Sequence, residues 1–298
     1  MAQRLGKSRP QKSRGQAKSK KEVEKKSSYS KFYKKETKKS NSEEQKAPRS
    51  VKKTVFSGFD KDDLMRLNKY IAKSGVCSRR EADKLIETGI ISVNGELITE
   101  LGFKVKRNDR VLMDGQLLIA EKLHYILLNK PKGFITTTDD PQERRTVMSL
   151  VERATDDRIY PVGRLDMKTT GLLLFTNDGD IAKKLTHPKH RVRKVYQVSL
   201  DRALTKNDMQ KIIDGMELED GEIIVDKIAY VEGSDNKKEI GIQLHSGRNR
   251  IVRRIFEHLG YEVIRLDRVV FAGLTKKDLP RGKWRWLQPK EVDFLKML

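Results

Sequence analysis

Residues 1–55 hold few aliphatic side chains and most of the chain's net positive charge, and this limits where a folded core can begin. A segment so rich in Lys, Ser and Gln cannot bury enough apolar surface to offset the entropy lost on ordering it. A disordered basic tail over 1–60 is therefore expected, and it explains why apolar residues make up only 36% of the 298. Beyond it, periodic apolar runs supply enough chain for about two domains. The formal net charge of +22 makes polyanions the natural partners, through counterion release as phosphates are neutralised. Two readings of the tail stand side by side: a flexible polycation that speeds encounter with RNA or DNA, and a solubilising extension without a target.

Cys77 is the single cysteine. It excludes an internal disulfide framework and favours a reducing compartment. The opening "MAQRLGKSRPQKSRG" has no apolar h-region, and no run of about 18 apolar residues occurs. A soluble, cytoplasmic, monomeric protein without a membrane partner is expected.

Order should begin near Leu64. In "LMRLNKYIAKSGVC" Leu64, Leu67, Tyr70 and Ile71 fall at helical spacing, with Lys69 and Lys73 on another face and Gly75 as the stop. "SRREADKLIETG" then predicts a second helix, capped by Ser78 and Glu81 and ended by Gly89. "IISVNGELI" predicts a hairpin across Asn94-Gly95. Residues 64–120 thus read as two helices followed by short strands. The junction at 120–123 is short and polar, so this unit is expected to swivel.

From residue 122 to 298 a second domain is predicted. "HYILLNKPKGFITTT" opens it with a buried strand and a turn at Pro131 and Gly133. The β runs "KVYQVSL", "EIIVDKIAYV" and "EIGIQLH" then alternate with the helical stretches "DIAKKL", "TKNDMQKIIDG" and "RIVRRIFEHLG". This mixture predicts an α+β fold around a mainly antiparallel sheet, flanked by helices and loops.

Several chemistries lose support. No P-loop and no strand-linked Gly-x-Gly-x-x-Gly is present, nor a Gly-x-Ser-x-Gly elbow. His187 and His190 lack the further ligands that a zinc site needs, so no metal is assigned. What is left is carboxylates beside arginines. In "PVGRLDMKTTGLLLFTNDGD", Gly163 permits a corner and the apolar run at 172–175 reads as a central strand. Asp166 therefore sits on a loop held against rigid structure, where reactive groups are often found. By pattern alone it reads equally as a structural partner of Arg164.

Two resemblances bear on that choice. "RLNKYIAKSGVCSRREADKLIETGIISVNGELI" resembles the S4 RNA-binding domain, which implies that Lys69, Lys73, Arg79 and Arg80 meet RNA phosphates. "GRLDMKTTGLLLFTNDGD" resembles the active-site motif of the pseudouridine synthases, and the S4-like unit ahead of it points to the RsuA-type, single-site rRNA branch. "LLNKPKGFITT", "KVYQV" and "GRNRIVRRIFEHLGYEVIRLDRV" resemble three further motifs of that family, in order. The last, with "LPRGKWRWL", is more similar to the large-subunit rRNA members.

The resemblance implies a ribosomal RNA substrate and a uridine isomerised without cofactor. Asp166 would be the catalytic carboxylate, as nucleophile or as base, with Tyr196 stacked on the base and Arg253 as the cation beside Asp166. Helical geometry alone does not separate Arg253 from Arg254, which flank the apolar stripe of the 250–259 helix on either side. Arg164, Arg248 and Arg250 are assigned to RNA. The competing expectation is a non-catalytic RNA-binding or ribosome-assembly factor on the same fold.

Overall fold

The computed structural model describes residues 58–60, 62–232 and 237–298. The expected disordered tail lies almost wholly outside these. In the N-terminal unit β1 (Leu64–Arg66) is followed by helices α1 (Leu67–Lys73) and α2 (Arg79–Glu87). The short strands β2 (Ile91–Val93), β3 (Glu96–Leu97), β4 (Lys104–Lys106), β5 (Val111–Met113) and β6 (Gln116–Leu117) complete it. One boundary differs from expectation. Residues 64–66 are not the first turn of the helix but a strand paired antiparallel with β4, and the Leu67 amide bonds Phe103 O at 2.8 Å. Over three residues the apolar spacing fits either period, and the available partner strand decides.

The other local signals act as their chemistry predicts. Ser78 Oγ accepts from the Glu81 amide while Glu81 Oε2 accepts from the Ser78 amide, closing a capping box on α2. Asn94 and Gly95, at φ 54° and 95°, form the tight turn between β2 and β3.

The larger domain runs through β7 (Tyr125–Lys130), α3 (Met148–Val151), β8 (Tyr160–Pro161), β9 (Thr170–Thr176) and α4 (Gly179–Thr186). Next come β10 (Lys194–Leu200), α5 (Lys206–Asp214), β11 (Met216–Leu218), β12 (Gly221–Ile223), β13 (Lys227–Tyr230) and β14 (Glu239–Leu244). The stretch "EIIVDKIAYV", expected as one strand, is therefore split between β12 and β13. The chain ends with α6 (Ile251–His258), β15 (Val263–Phe271), β16 (Leu274–Thr275), β17 (Trp284–Trp286) and α7 (Pro289–Met297).

Strands order as β13-β14-β10-β15-β9-β7-β17, with β16 on β15 and β8 on β9. The β9–β15 pair is parallel and the other pairs are antiparallel, a mixed, mostly antiparallel sheet. β9 is interior and covered on both faces, which is why its run 172–175 is continuously apolar rather than alternating. Leu173 and Phe175 enter one core, Leu172 and Leu174 the other. Each is fully buried and contributes roughly 1.5–3 kcal/mol.

Several contacts cross the junction that was expected to swivel. Lys69 and Lys73 of α1 bind the carboxylate of Asp180, in the first turn of α4, at 2.7 and 3.0 Å. The Glu121 amide bonds Lys73 O, and Asn177 Nδ2 bonds Lys122 O. The two lysines that the resemblance assigns to RNA phosphates thus both meet the larger domain's acid in this structure. Arg79 and Arg80 are exposed. Among the described residues no helix is long and apolar enough to cross a membrane.

Candidate active site

The loop between β8 and β9 carries Asp166, and the segment after β7 holds that loop in place. Gly163 makes the corner at φ 74°, and Leu165 drops into the core. Thr136 Oγ1 donates to Leu165 O at 2.7 Å and accepts from the Leu165 amide at 3.2 Å. The Gly133 amide bonds Met167 O, and the Thr169 amide bonds Asp166 O. Lys130 lies wholly buried beneath, its Nζ donating to Pro131 O, Asp166 O and Thr169 O at 3.2, 3.1 and 2.9 Å. Burial pushes the Lys130 ammonium down to about 8, against the pull of Asp166 and with the push of Arg281. Three carbonyl acceptors match the three donors of the protonated form.

The far end of the loop is pinned by Asp267 on β15. It accepts from Thr170 Oγ1 at 2.8 Å, Arg281 Nη1 at 2.8 Å and Lys276 Nζ at 2.5 Å. Burial raises the Asp267 carboxyl, but these donors outweigh it and hold it at about 2.

So supported, Asp166 faces a cavity of about 260 Å³ whose walls include Tyr196, Lys194, Arg248, Arg250 and Arg268. Its carboxylate is partly exposed and makes no hydrogen bond or ion pair with a side chain among the described residues. Tyr196, on β10, is 9% exposed. An unpaired carboxylate beside an aromatic ring, in a cleft rimmed by cations, suits a negatively charged substrate with a planar group. It offers that substrate a base or a nucleophile.

Arg253 is buried on α6, near enough for the field of Asp166 to reach it. Burial and Arg250 lower its pKa, while Asp166 and Glu257 work to raise it. The two groups are not in ion-pair contact here: Arg253 Nη1 donates instead to Val263 O at 2.8 Å. Arg254, which helical geometry alone left as an alternative, is turned away and grips Asp220 with two bonds at 2.9 and 2.7 Å. Arg250 caps α6 in a left-handed conformation, one residue before the helix proper, and pairs with Glu257 at 3.0 Å. Arg248 donates to Gly221 O and Glu222 O, and Arg164 is exposed at the cavity rim.

Three side chains at the site escaped the sequence reading. Lys130 ends an apolar strand, where a lysine is conspicuous. Lys194 donates to His245 O and Ser246 O, bracing the loop before α6; burial and Arg268 push it down to about 8, against Asp226. Arg268 lies two residues beyond the buried Leu266 on β15, on the same face, so its inward direction was available from period two. Among the described residues, the buried side-chain polar atoms lacking partners are Thr169 Oγ1, Arg253 Nε and Arg268 Nη2. All three belong to this neighbourhood.

Residues 124–258 match the RNA pseudouridylate synthase family, and residues 65–111 match the S4 domain. A protein of Bacillus subtilis, ribosomal large subunit pseudouridine synthase B, is 42% identical over 238 residues, spanning 79% of this chain and 97% of its own length. Its namesake from Vibrio vulnificus is 35% identical over 240 residues, covering 78% of this chain and 75% of its own. A solved structure described as a pseudouridylate synthase aligns with a TM-score of 0.56 at 28% identity, over 78% of this chain and 99% of that one.

Proposed function

The chain belongs to the RNA pseudouridine synthases, and on that footing we propose that it isomerises a uridine of large-subunit ribosomal RNA, with Asp166 as the catalytic carboxylate. The observation that carries the reading is the unpaired Asp166 carboxylate facing the same cavity as Tyr196 and a group of arginines. The relatives that act on large-subunit RNA support the choice of substrate.

A target uridine inside folded RNA must swing out to reach this cavity, at a cost of a few kcal/mol. Phosphate contacts by Arg79, Arg80, Arg164, Arg248 and Arg250 offset that cost. Once inside, the base lies on Tyr196 and the sugar meets Asp166, while the Arg253 guanidinium favours the ionised carboxylate. The C1′–N1 bond breaks and C1′ joins C5; C5 loses its hydrogen as a proton and N1 gains one. Nothing is oxidised and no group is lost, so the chemistry asks for no redox cofactor.

The purified chain, incubated with large-subunit rRNA transcribed with C5-tritiated uridine, should release tritium to solvent. Asp166→Asn should not. Release that is equal in both proteins would remove Asp166 from the mechanism, and no release from either would favour an RNA-holding factor.

A further inference from the structure

We infer that Arg268 is a base-recognising residue whose Nη2 donates a hydrogen bond to a carbonyl oxygen of the everted uracil, and does so both before and after the base turns over. This rests on the isomerase reading above. Arg268 on β15 is the direct antiparallel partner of Tyr196 on β10, and both side chains line the Asp166 cavity. Side chains so paired lie on one face of the sheet with Cβ atoms about 4.5–5.5 Å apart. A base resting on the Tyr196 ring therefore presents its edge to Arg268.

The guanidinium is held in place. Nε donates to Leu172 O at 2.8 Å, and the group lies 4.4 Å from the centre of the Phe271 ring. Nη2 is left over: it is buried, the residue is only 3% exposed, and no acceptor among the described residues reaches it. A buried donor left unmatched is costly, and natural proteins match the great majority. Arg268 is among the residues that line the cavity, and a ligand carbonyl is the acceptor that Nη2 would gain by turning toward it.

Uracil chemistry explains why one donor suffices. After C1′–N1 cleavage the ring must make a half-turn about the axis through N3 and C6, so that C5 takes the place of N1. The same half-turn exchanges C2 with C4, and so O2 with O4. A donor that meets one carbonyl before the turn meets the other after it. Cytosine would put its amino group there in one of the two orientations, donor against donor. Arg268 thus favours uracil over cytosine in both orientations of the base.

Once the modified uridine is mapped, an RNA oligonucleotide spanning it is made with uridine, 2-thiouridine or 4-thiouridine at that position. Sulfur accepts a hydrogen bond more weakly, so each thio substitution should lower wild-type kcat/KM by roughly tenfold. In Arg268→Met the uridine substrate itself should lose roughly ten- to a hundredfold. Both thio penalties should then shrink toward unity, with the dissociation constant for the RNA little changed. Arg268→Lys, which keeps the charge but not the planar fork, serves for the same comparison if the methionine variant does not fold. Undiminished thio penalties in a folded variant would overturn the assignment and leave the isomerase reading standing. A wild-type chain that modifies no uridine would remove both.

Discussion

Asp267→Asn isolates one charge at the end of the loop that carries Asp166, and its effect can be worked from the structure. The wild-type carboxyl sits at about 2, against the usual 3.8. A depressed folded-state value gives stability that is fully present above the unfolded value and lost as pH falls through the folded one. For this gap the contribution is about 2.4 kcal/mol at pH 7, falling to about 1.3 kcal/mol at pH 3. The asparagine variant titrates no group there, so the difference between the two proteins should narrow by about 1 kcal/mol between pH 7 and pH 3. Urea unfolding followed by tryptophan fluorescence, repeated across that range, reads the difference directly. A gap that stays constant with pH would refute the claim that Arg281, Lys276 and Thr170 stabilise the ionised form.

Other consequences follow from single positions. Gly171 has φ 108°, and a Cβ there would lie 2.3 Å from Arg268 O and 2.4 Å from Arg268 N, so Gly171→Ala should cost about 3 kcal/mol or more; a urea midpoint equal to wild type would show that β9 and β15 do not pack tightly there. Arg253→Met should lower the isomerisation rate by on the order of a hundredfold, whereas Arg254→Met, losing its ion pairs with Asp220 and Glu219, should leave it near wild type; the reverse order in single-turnover assays would transfer the role to Arg254. Removing residues 1–55 should flatten the dependence of RNA affinity on salt by about 0.7–0.9 log units for every phosphate that the tail neutralises, and an unchanged slope in fluorescence anisotropy would mean that the tail does not touch RNA.

The features legible in the sequence were those set by short-range physics. The β9 run had to be covered on both faces, the Ser78–Glu81 pair had to cap a helix, and Asn94-Gly95 had to turn a hairpin. The Asp166 corner was legible as a corner, but pattern alone did not make it a site; the resemblance did. What stayed hidden depends on partners distant along the chain. A helix face shows that Lys69 and Lys73 lie together, not that Asp180 will meet them. Periodicity places Arg253 at the edge of an apolar stripe, but the acceptor it finds, Val263 O, comes from the following strand. Whether residues 64–66 form helix or strand was settled by β4, some forty residues later. The support beneath Asp166 was hidden for the same reason, since Lys130 reaches its loop only after β7 and β9 have paired.

Mapping pseudouridine in large-subunit rRNA from cells carrying either wild type or Asp166→Asn tests the central claim most directly. One site present with wild type and missing with the variant is the predicted result. Identical maps from the two strains would contradict it.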